Sequence, residues 1–193
     1  MPLYITFVDY KKAFDSIDRN VLFSILRHYG IPQEMVNAIR VLYDNSGSQV
    51  YIDGKYSPRF DVKTGILQGD VLAPFLFIIV MDYIIKTTEQ SGQYGFKSHP
   101  KSGSRNPEKS VSDLEFADDA ALLDDELQKA EQHLQKLNDS SLPTGLIINT
   151  DKTVFLNLVD KQTIKLNGKD LEVVDDFKYF WFVYYVNKQG PKI

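Results

Sequence analysis

Residues 113–123 read Asp113-Leu114-Glu115-Phe116-Ala117-Asp118-Asp119-Ala120-Ala121-Leu122-Leu123. Apolar residues press on both sides of an acidic pair, which predicts two short strands joined by a tight turn with Asp118 and Asp119 at its tip. By themselves these are ordinary turn formers, and Asp-Asp pairs recur at 124–125 and 175–176. Their setting is different, because carboxylates at the tip of a buried hairpin repel each other unless a cation neutralises them. Another carboxylate stands near the start of the chain, where the β-rich run 3–8 stops at Asp9. Three carboxylates from separate strand ends, holding two Mg²⁺ ions, are standard apparatus for phosphoryl or nucleotidyl transfer.

Outward from that hairpin, period and punctuation organise the rest. Ile17, Val21, Leu22, Ile25, Leu26 and Tyr29 recur at helical spacing, with Asp18 as a start signal and Gly30 as a stop. Pro32 opens a second helix with the stripe Met35, Val36, Ile39, Leu42 and Tyr43. Asp53-Gly54 predicts a hairpin. Lys63-Thr64-Gly65-Ile66-Leu67-Gln68-Gly69-Asp70 reads as a strand-to-helix turn before a long helix over 71–89. Residues 91–112, rich in Ser, Gly, Lys and Pro, read as an exposed loop or insertion. A helix over 125–138 should end before Pro143. Strands are expected at 146–148 and after Thr153, then a hairpin at Asn167-Gly168 and an aromatic strand over 177–186. The class is α+β.

Composition bounds the chemistry. The chain has 193 residues, 43% hydrophobic and 25% charged, a globular balance. It has no cysteine, which excludes disulfides, thiolate metal sites and thiol nucleophiles. His28, His99 and His133 are far apart and leave little for a zinc site. The net charge of −4 runs against the basic signature of nucleic-acid binders. However, nine acidic residues against Lys129 and Lys136 put −7 within 113–139, so the remainder carries +3. The most apolar run, 71–85, contains Pro74 and Asp82 and is shorter than the roughly 20 residues of a spanning helix. No membrane association and an intracellular location are the expectations.

Five segments together resemble one family. Phe7-Val8-Asp9-Tyr10-Lys11-Lys12-Ala13-Phe14-Asp15 looks like the first palm motif of reverse transcriptases from non-LTR (LINE-type) retrotransposons. Gly65-Ile66-Leu67-Gln68-Gly69-Asp70-Val71-Leu72-Ala73-Pro74 resembles their second motif, and Phe116-Ala117-Asp118-Asp119 their third. Gly145-Leu146-Ile147-Ile148-Asn149-Thr150-Asp151-Lys152-Thr153 is similar to the fourth. Leu166-Asn167-Gly168-Lys169-Asp170-Leu171-Glu172, through Phe177-Lys178-Tyr179, is similar to the fifth. The motifs occur in the family's order and cover residues 3 to about 180.

The resemblance implies a polymerase palm, an antiparallel sheet backed by helices with fingers and thumb largely missing. It implies an RNA-directed DNA polymerase that joins a dNTP to a DNA primer 3′-hydroxyl on an RNA template. Asp9, Asp118 and Asp119 would hold two Mg²⁺ ions, with Mn²⁺ as a substitute. Tyr10, Phe14, Gln68, Gly69 and Lys152 would meet the nucleotide: Phe14 under its sugar, where a ring excludes a 2′-hydroxyl, and Lys152 near the leaving group. Phe177, Lys178 and Tyr179 would grip the primer. Two departures stand out, for the arginine usual before the motif's glutamine is here Leu67, and Phe180-Trp181 replace a usual Leu-Gly.

The resemblance divides the chain into a palm over 1–160 and, over 161–193, a hairpin followed by the primer-gripping strand. A second reading is a decayed or domesticated retroelement copy that acts as an interaction module. An RNA-templated RNA polymerase shares the palm, but Phe14, in place of a small residue or an aspartate, argues against it. The fragment by itself is expected to be inactive.

Overall fold

A computed structural model gives the fold and describes residues 2–90, 94–99, 109–116, 119–157, 159–179 and 182–185. In chain order the elements begin with β1 (Tyr4–Val8), α1 (Ala13–Ser16), α2 (Arg19–His28) and α3 (Gln33–Tyr43). Four two-residue strands follow, β2 (Gly47–Ser48), β3 (Tyr51–Ile52), β4 (Lys55–Tyr56) and β5 (Phe60–Asp61), and then the long helix α4 (Ala73–Glu89). Next come β6 (Phe96–His99), β7 (Lys109–Val111), β8 (Asp113–Phe116), β9 (Asp119–Asp124) and α5 (Leu127–Ser141). The last are β10 (Val154–Asn157), β11 (Lys165–Leu166), β12 (Lys169–Asp170), β13 (Glu172–Val174), β14 (Asp176–Tyr179) and β15 (Phe182–Tyr185).

The frame is a five-stranded sheet ordered β13-β10-β1-β9-β8. β1 lies at its centre, antiparallel to β10 and to β9, while the β10–β13 pair is parallel. The sheet is thus mixed at one edge: the β11–β12 hairpin intervenes and returns the chain in its former direction. Alternation splits the sheet into two faces. Tyr4, Val8, Ala120, Leu122 and Phe155 face the main core with Leu76, Phe77, Val80 and Ile84 of α4 and Leu134 and Leu137 of α5. Phe7, Ala121, Val154 and Leu156 form a separate cluster on the other face. Leu166 and Leu171 also join the main core, so the chain beyond residue 160 packs into the same interior.

Local rules account for the helices. Asp18 Oδ1 accepts from the backbone N–H of Asn20 (2.8 Å) and Val21 (3.0 Å), which caps α2. Pro32 precedes α3. α5 continues through Ser141, three residues beyond its expected end, and a 3₁₀ turn at Leu142–Thr144 then accommodates Pro143.

Three expectations are corrected. Residues 146–148 are not a strand. Ile148 makes a single bridge to Tyr10, flanked by Lys11 N–H donating to Ile147 O (2.9 Å) and Asn149 N–H donating to Asp9 O (2.7 Å), and the chain then turns. The segment 91–112 is not wholly a loop, because Phe96 pairs with Val111 and Lys97 with Ser110 in the β6–β7 ribbon. The aromatic stretch after 176 is two strands rather than one, with Tyr179 paired to Phe182. Among the described residues, no helix is long and apolar enough to cross a membrane.

Candidate active site

The β1–β9 register decides where the acids fall. Val8 is the last pair of β1 and lies opposite Ala120. The next residue on one strand is Asp9 and the preceding one on the other is Asp119, so the two stand side by side at one sheet end. By alternation both belong to the face of Phe7 and Ala121, opposite the helices. Asp9 is half-buried and Asp119 is exposed. Asp118 and Ala117 lie outside the described residues. Among the described residues no three Asp, Glu, His or Cys side chains form a metal-holding group. The carboxylate oxygens of Asp9 and Asp119 are the hard donors that Mg²⁺ takes, and the donor chemistry fits.

Asp9 is clasped by the segment 147–153. Its N–H donates to Thr153 Oγ1 (3.2 Å), and its carbonyl accepts from Asn149 N–H (2.7 Å). The Asn149 side chain donates from Nδ2 to Asp9 Oδ2 (3.0 Å). Lys152 N–H and Thr153 N–H both donate to Asn149 O (3.1 and 2.8 Å), so exposed Lys152 rides on the same turn that holds Asp9.

A second clasp joins the Gln68-Gly69 turn to the segment after Asp9. Ile66 N–H donates to Phe14 O (2.8 Å), Gly65 N–H to Ile17 O (2.8 Å), and Thr64 Oγ1 to Asp15 O (3.1 Å). Gly65 has φ +79°, and a Cβ there would stand 2.6 Å from Asp15 Cα. Only glycine permits that approach. Arg19 locks the turn from the other side, donating to the carbonyls of Gly65 (2.8 Å), Val62 (2.8 Å), Tyr43 (3.1 Å) and Thr64 (3.1 Å) and to Ser46 Oγ (2.7 Å). Gln68 and Gly69 themselves are exposed, with open space over Gly69. Phe14 is half-buried and stacks on Phe77 of α4, ring centres 4.5 Å apart. That contact fixes the ring's plane while leaving part of it accessible.

Gly145 completes the arrangement. At φ +89° its Cβ position would be 2.2 Å from Ser16 O, so the chain at 145 lies directly on that segment, and Asp18 N–H donates to Thr144 O (2.8 Å). Lys12, between Asp9 and Phe14, sits in the left-handed region at φ +48°. Strained backbone of this kind concentrates at functional sites.

Not every expected contact is available. Tyr10 is buried, its hydroxyl 3.0 Å from Ser141 Oγ, and burial raises its pKa. Its ring belongs to the core, so at most its backbone can meet a nucleotide. Phe177, Lys178 and Tyr179 lie on β14, which starts two residues after the edge strand β13 and pairs with β15 rather than the main sheet. Trp181 and Phe180 lie outside the described residues. Leu67 is exposed, 43% of its surface in solvent. On β8, opposite Ala120, burial and the charges of Asp113, Asp82 and Glu89 push Glu115 up to about 7.

Sequence reasoning missed the roles of Arg19, Asn149 and Thr153. Asn149 and Thr153 were legible only as parts of a motif, and Arg19 carried no signal beyond its place after a helix cap.

A family model described as reverse transcriptase (RNA-dependent DNA polymerase) matches residues 2–180. The chain belongs to the reverse transcriptase family. It is 31% identical over 149 residues to the Pol polyprotein of the type-2 retrotransposable element R2DM of Drosophila melanogaster, covering 77% of this chain and 13% of that protein. It is 28% identical over 203 residues to the R2 Pol polyprotein of Nasonia vitripennis, covering 98% of this chain and 19% of that protein. These relatives place the domain with the non-LTR retrotransposons, and the chain spans less than a fifth of the length of either. Among solved structures, apo telomerase from Candida tropicalis superposes with a TM-score of 0.65 at 14% identity, over 93% of this chain and 31% of that one. The same telomerase in complex with a fragment of telomeric RNA gives 0.63 at 16% identity, over 89% and 29%. At those identities the likeness shows the fold alone, a polymerase palm.

Proposed function

We propose that this chain is the palm of an RNA-directed DNA polymerase that transfers a nucleotidyl group from a dNTP to a DNA primer 3′-hydroxyl on an RNA template. The observation that carries the reading is the register placing Asp9 beside Asp119 at the ends of β1 and β9. Asp118, next to Asp119 in sequence, is the third proposed ligand. Two Mg²⁺ ions bound there would supply Lewis acidity toward the primer hydroxyl and the triphosphate.

The remaining roles belong to the chain's own groups. Phe14, its plane set by Phe77, presents an edge to the incoming sugar and excludes a 2′-hydroxyl sterically. Gln68 and Gly69, on a turn tied to Phe14 by the Ile66–Phe14 hydrogen bond, flank the nucleotide. Lys152 shares a turn with the clasp on Asp9 and is the candidate proton donor toward the leaving pyrophosphate. Phe177, Lys178 and Tyr179 are proposed for the primer. In this division residues 1–160 carry the chemistry and 161–193 carry the hairpin and primer strand.

Paramagnetic mapping tests the reading. Mn²⁺ added to the chain should first broaden the amide signals of residues 8–10, 118–120 and 149–153. Broadening confined to the acidic stretch 124–126, with none at Asp9, would overturn it. In a complete polyprotein carrying this palm, RNA-templated extension should fall by about 10²–10³-fold in Asp9→Asn or Asp118→Asn, the scale lost when transition-state charge stabilisation is removed. The 193-residue chain alone should bind a primer–template only weakly and in a salt-sensitive way.

A further inference from the structure

Asp9 is held by two kinds of contact, and they have different consequences. Its backbone is pinned on both sides without any help from the Asn149 side chain: the N–H by Thr153 Oγ1 (3.2 Å) and the carbonyl by Asn149 N–H (2.7 Å). Thr153 is fully buried, so this anchor is built into the interior. The Asn149 amide adds a contact that reaches only the carboxylate, Nδ2 to Asp9 Oδ2 at 3.0 Å. The other end of the same amide is committed too, for Asn149 Oδ1 accepts from Asp151 N–H at 3.3 Å. That fixes which way the amide points: a flipped Asn149 would set its oxygen against the Asp9 carboxylate and face two N–H groups with each other. An asparagine satisfied at both ends has one orientation, and so does the carboxylate it holds.

We propose that Asn149 is the positioning residue for Asp9: by occupying Oδ2 it fixes the rotation of the carboxylate and leaves Oδ1 to a divalent cation. The inference rests on the reading of Asp9 as a cation ligand given above. It assigns to the 147–153 turn a function separate from that of Lys152, which is to hold a ligand oxygen in place across 140 residues of chain. Outer groups that hydrogen-bond a metal ligand typically change metal affinity by 10–100-fold when removed. A free carboxylate must lose its rotation on binding, whereas a held one has already lost it.

The substitution that separates positioning from turn formation is Asn149→Ser. A serine hydroxyl can still accept from Asp151 N–H, as Ser and Asn do in such turns, but it is too short to reach Asp9 Oδ2. Asn149→Ala removes both contacts. Mn²⁺ alone is titrated into the 193-residue chain and its affinity read by electron paramagnetic resonance, with thermal midpoints measured in parallel. Both variants should bind Mn²⁺ at least tenfold more weakly, while Asn149→Ser keeps its midpoint within about 2 °C of the parent.

Asp9→Asn serves as the control and should abolish the site. If Asp9→Asn abolishes binding and Asn149→Ser binds as tightly as the parent, the positioning role is wrong and the cation reading stands. If Asp9→Asn leaves Mn²⁺ binding unchanged, the cation reading fails and this inference fails with it. A measurement on the unsubstituted chain guards against variants that do not fold: saturating Mg²⁺ should shift the Asn149 side-chain amide resonances. Their failure to move would also overturn the proposal.

Discussion

Replacing Arg19 should loosen the turn that carries Gln68 and Gly69 before it loosens the sheet. The informative change is Arg19→Met, which keeps most of the apolar stem and deletes the guanidinium. Five acceptors lose their donor, the carbonyls of Tyr43, Val62, Thr64 and Gly65 and the Ser46 hydroxyl. They do not count equally. Thr64 is exposed and Val62 and Ser46 are half-buried, so these regain water, while Tyr43 and Gly65 are buried: the Gly65 carbonyl is left unpaired and the Tyr43 carbonyl keeps only the Ser46 N–H at 3.3 Å. At about 1.5 kcal/mol for each buried acceptor that loses a charged donor, the loss is about 3 kcal/mol. The guanidinium also lies over the Tyr43 ring, 5.1 Å from its centre, a smaller further contribution. Urea unfolding measures the total. Native-state hydrogen exchange locates it: the Gly65 and Ile66 amides, bonded to Ile17 and Phe14 carbonyls, should exchange faster than those of β1 and β9. A loss below about 1 kcal/mol with unchanged exchange at Gly65 would show that the turn is held by something other than Arg19.

Gly145→Ala should destabilise by about 3 kcal/mol or more, because it combines φ +89° with a Cβ 2.2 Å from Ser16 O; a thermal midpoint equal to the parent's contradicts that packing. Glu115 holds its proton more tightly in the folded chain, where it titrates at about 7, than at its ordinary value of 4.5. Its contribution is therefore fully favourable below about 4.5 and is lost as pH rises through about 7. Because part of the side chain remains in solvent, screening limits the effect to about 1 kcal/mol. Glu115→Gln should flatten the fall in stability across that window, and an unchanged slope in urea midpoints against pH would remove the assignment. In a complete polymerase containing this palm, Phe14→Val should admit ribonucleotides while deoxynucleotide incorporation persists, since the steric block is removed and the carboxylates are not. Unchanged sugar discrimination in single-nucleotide incorporation would make Phe14 a packing partner of Phe77 and no more.

What was legible in the sequence is what is decided within a turn or two of chain. The stripe from Ile17 to Tyr29, the cap at Asp18 and the turn pairs Asp53-Gly54 and Asn167-Gly168 all report on neighbours a few residues away, and each has the structure expected of it. The Asp9–Asp119 neighbourhood is of another kind. Alternation tells which face a strand residue takes but not which strand lies beside it, so from residues alone the acids were strand ends whose shared cation was one option among several, and the five-motif resemblance made their pairing specific. Asn149 and Gly145 were harder still, since each meets its partner across more than a hundred residues and nothing local distinguishes this asparagine from the turn former at Asn167. The pattern of departures is informative for the same reason. The contacts that hold the motifs against one another, at Gly65, Gly145, Arg19 and Thr153, are buried or half-buried. Leu67, at the position where the resemblance puts an arginine, is exposed. An exposed side chain contributes little to the packing between the motifs, so the residues that assemble the site are the ones buried or half-buried between its segments, and an exposed departure such as Leu67 leaves that assembly in place.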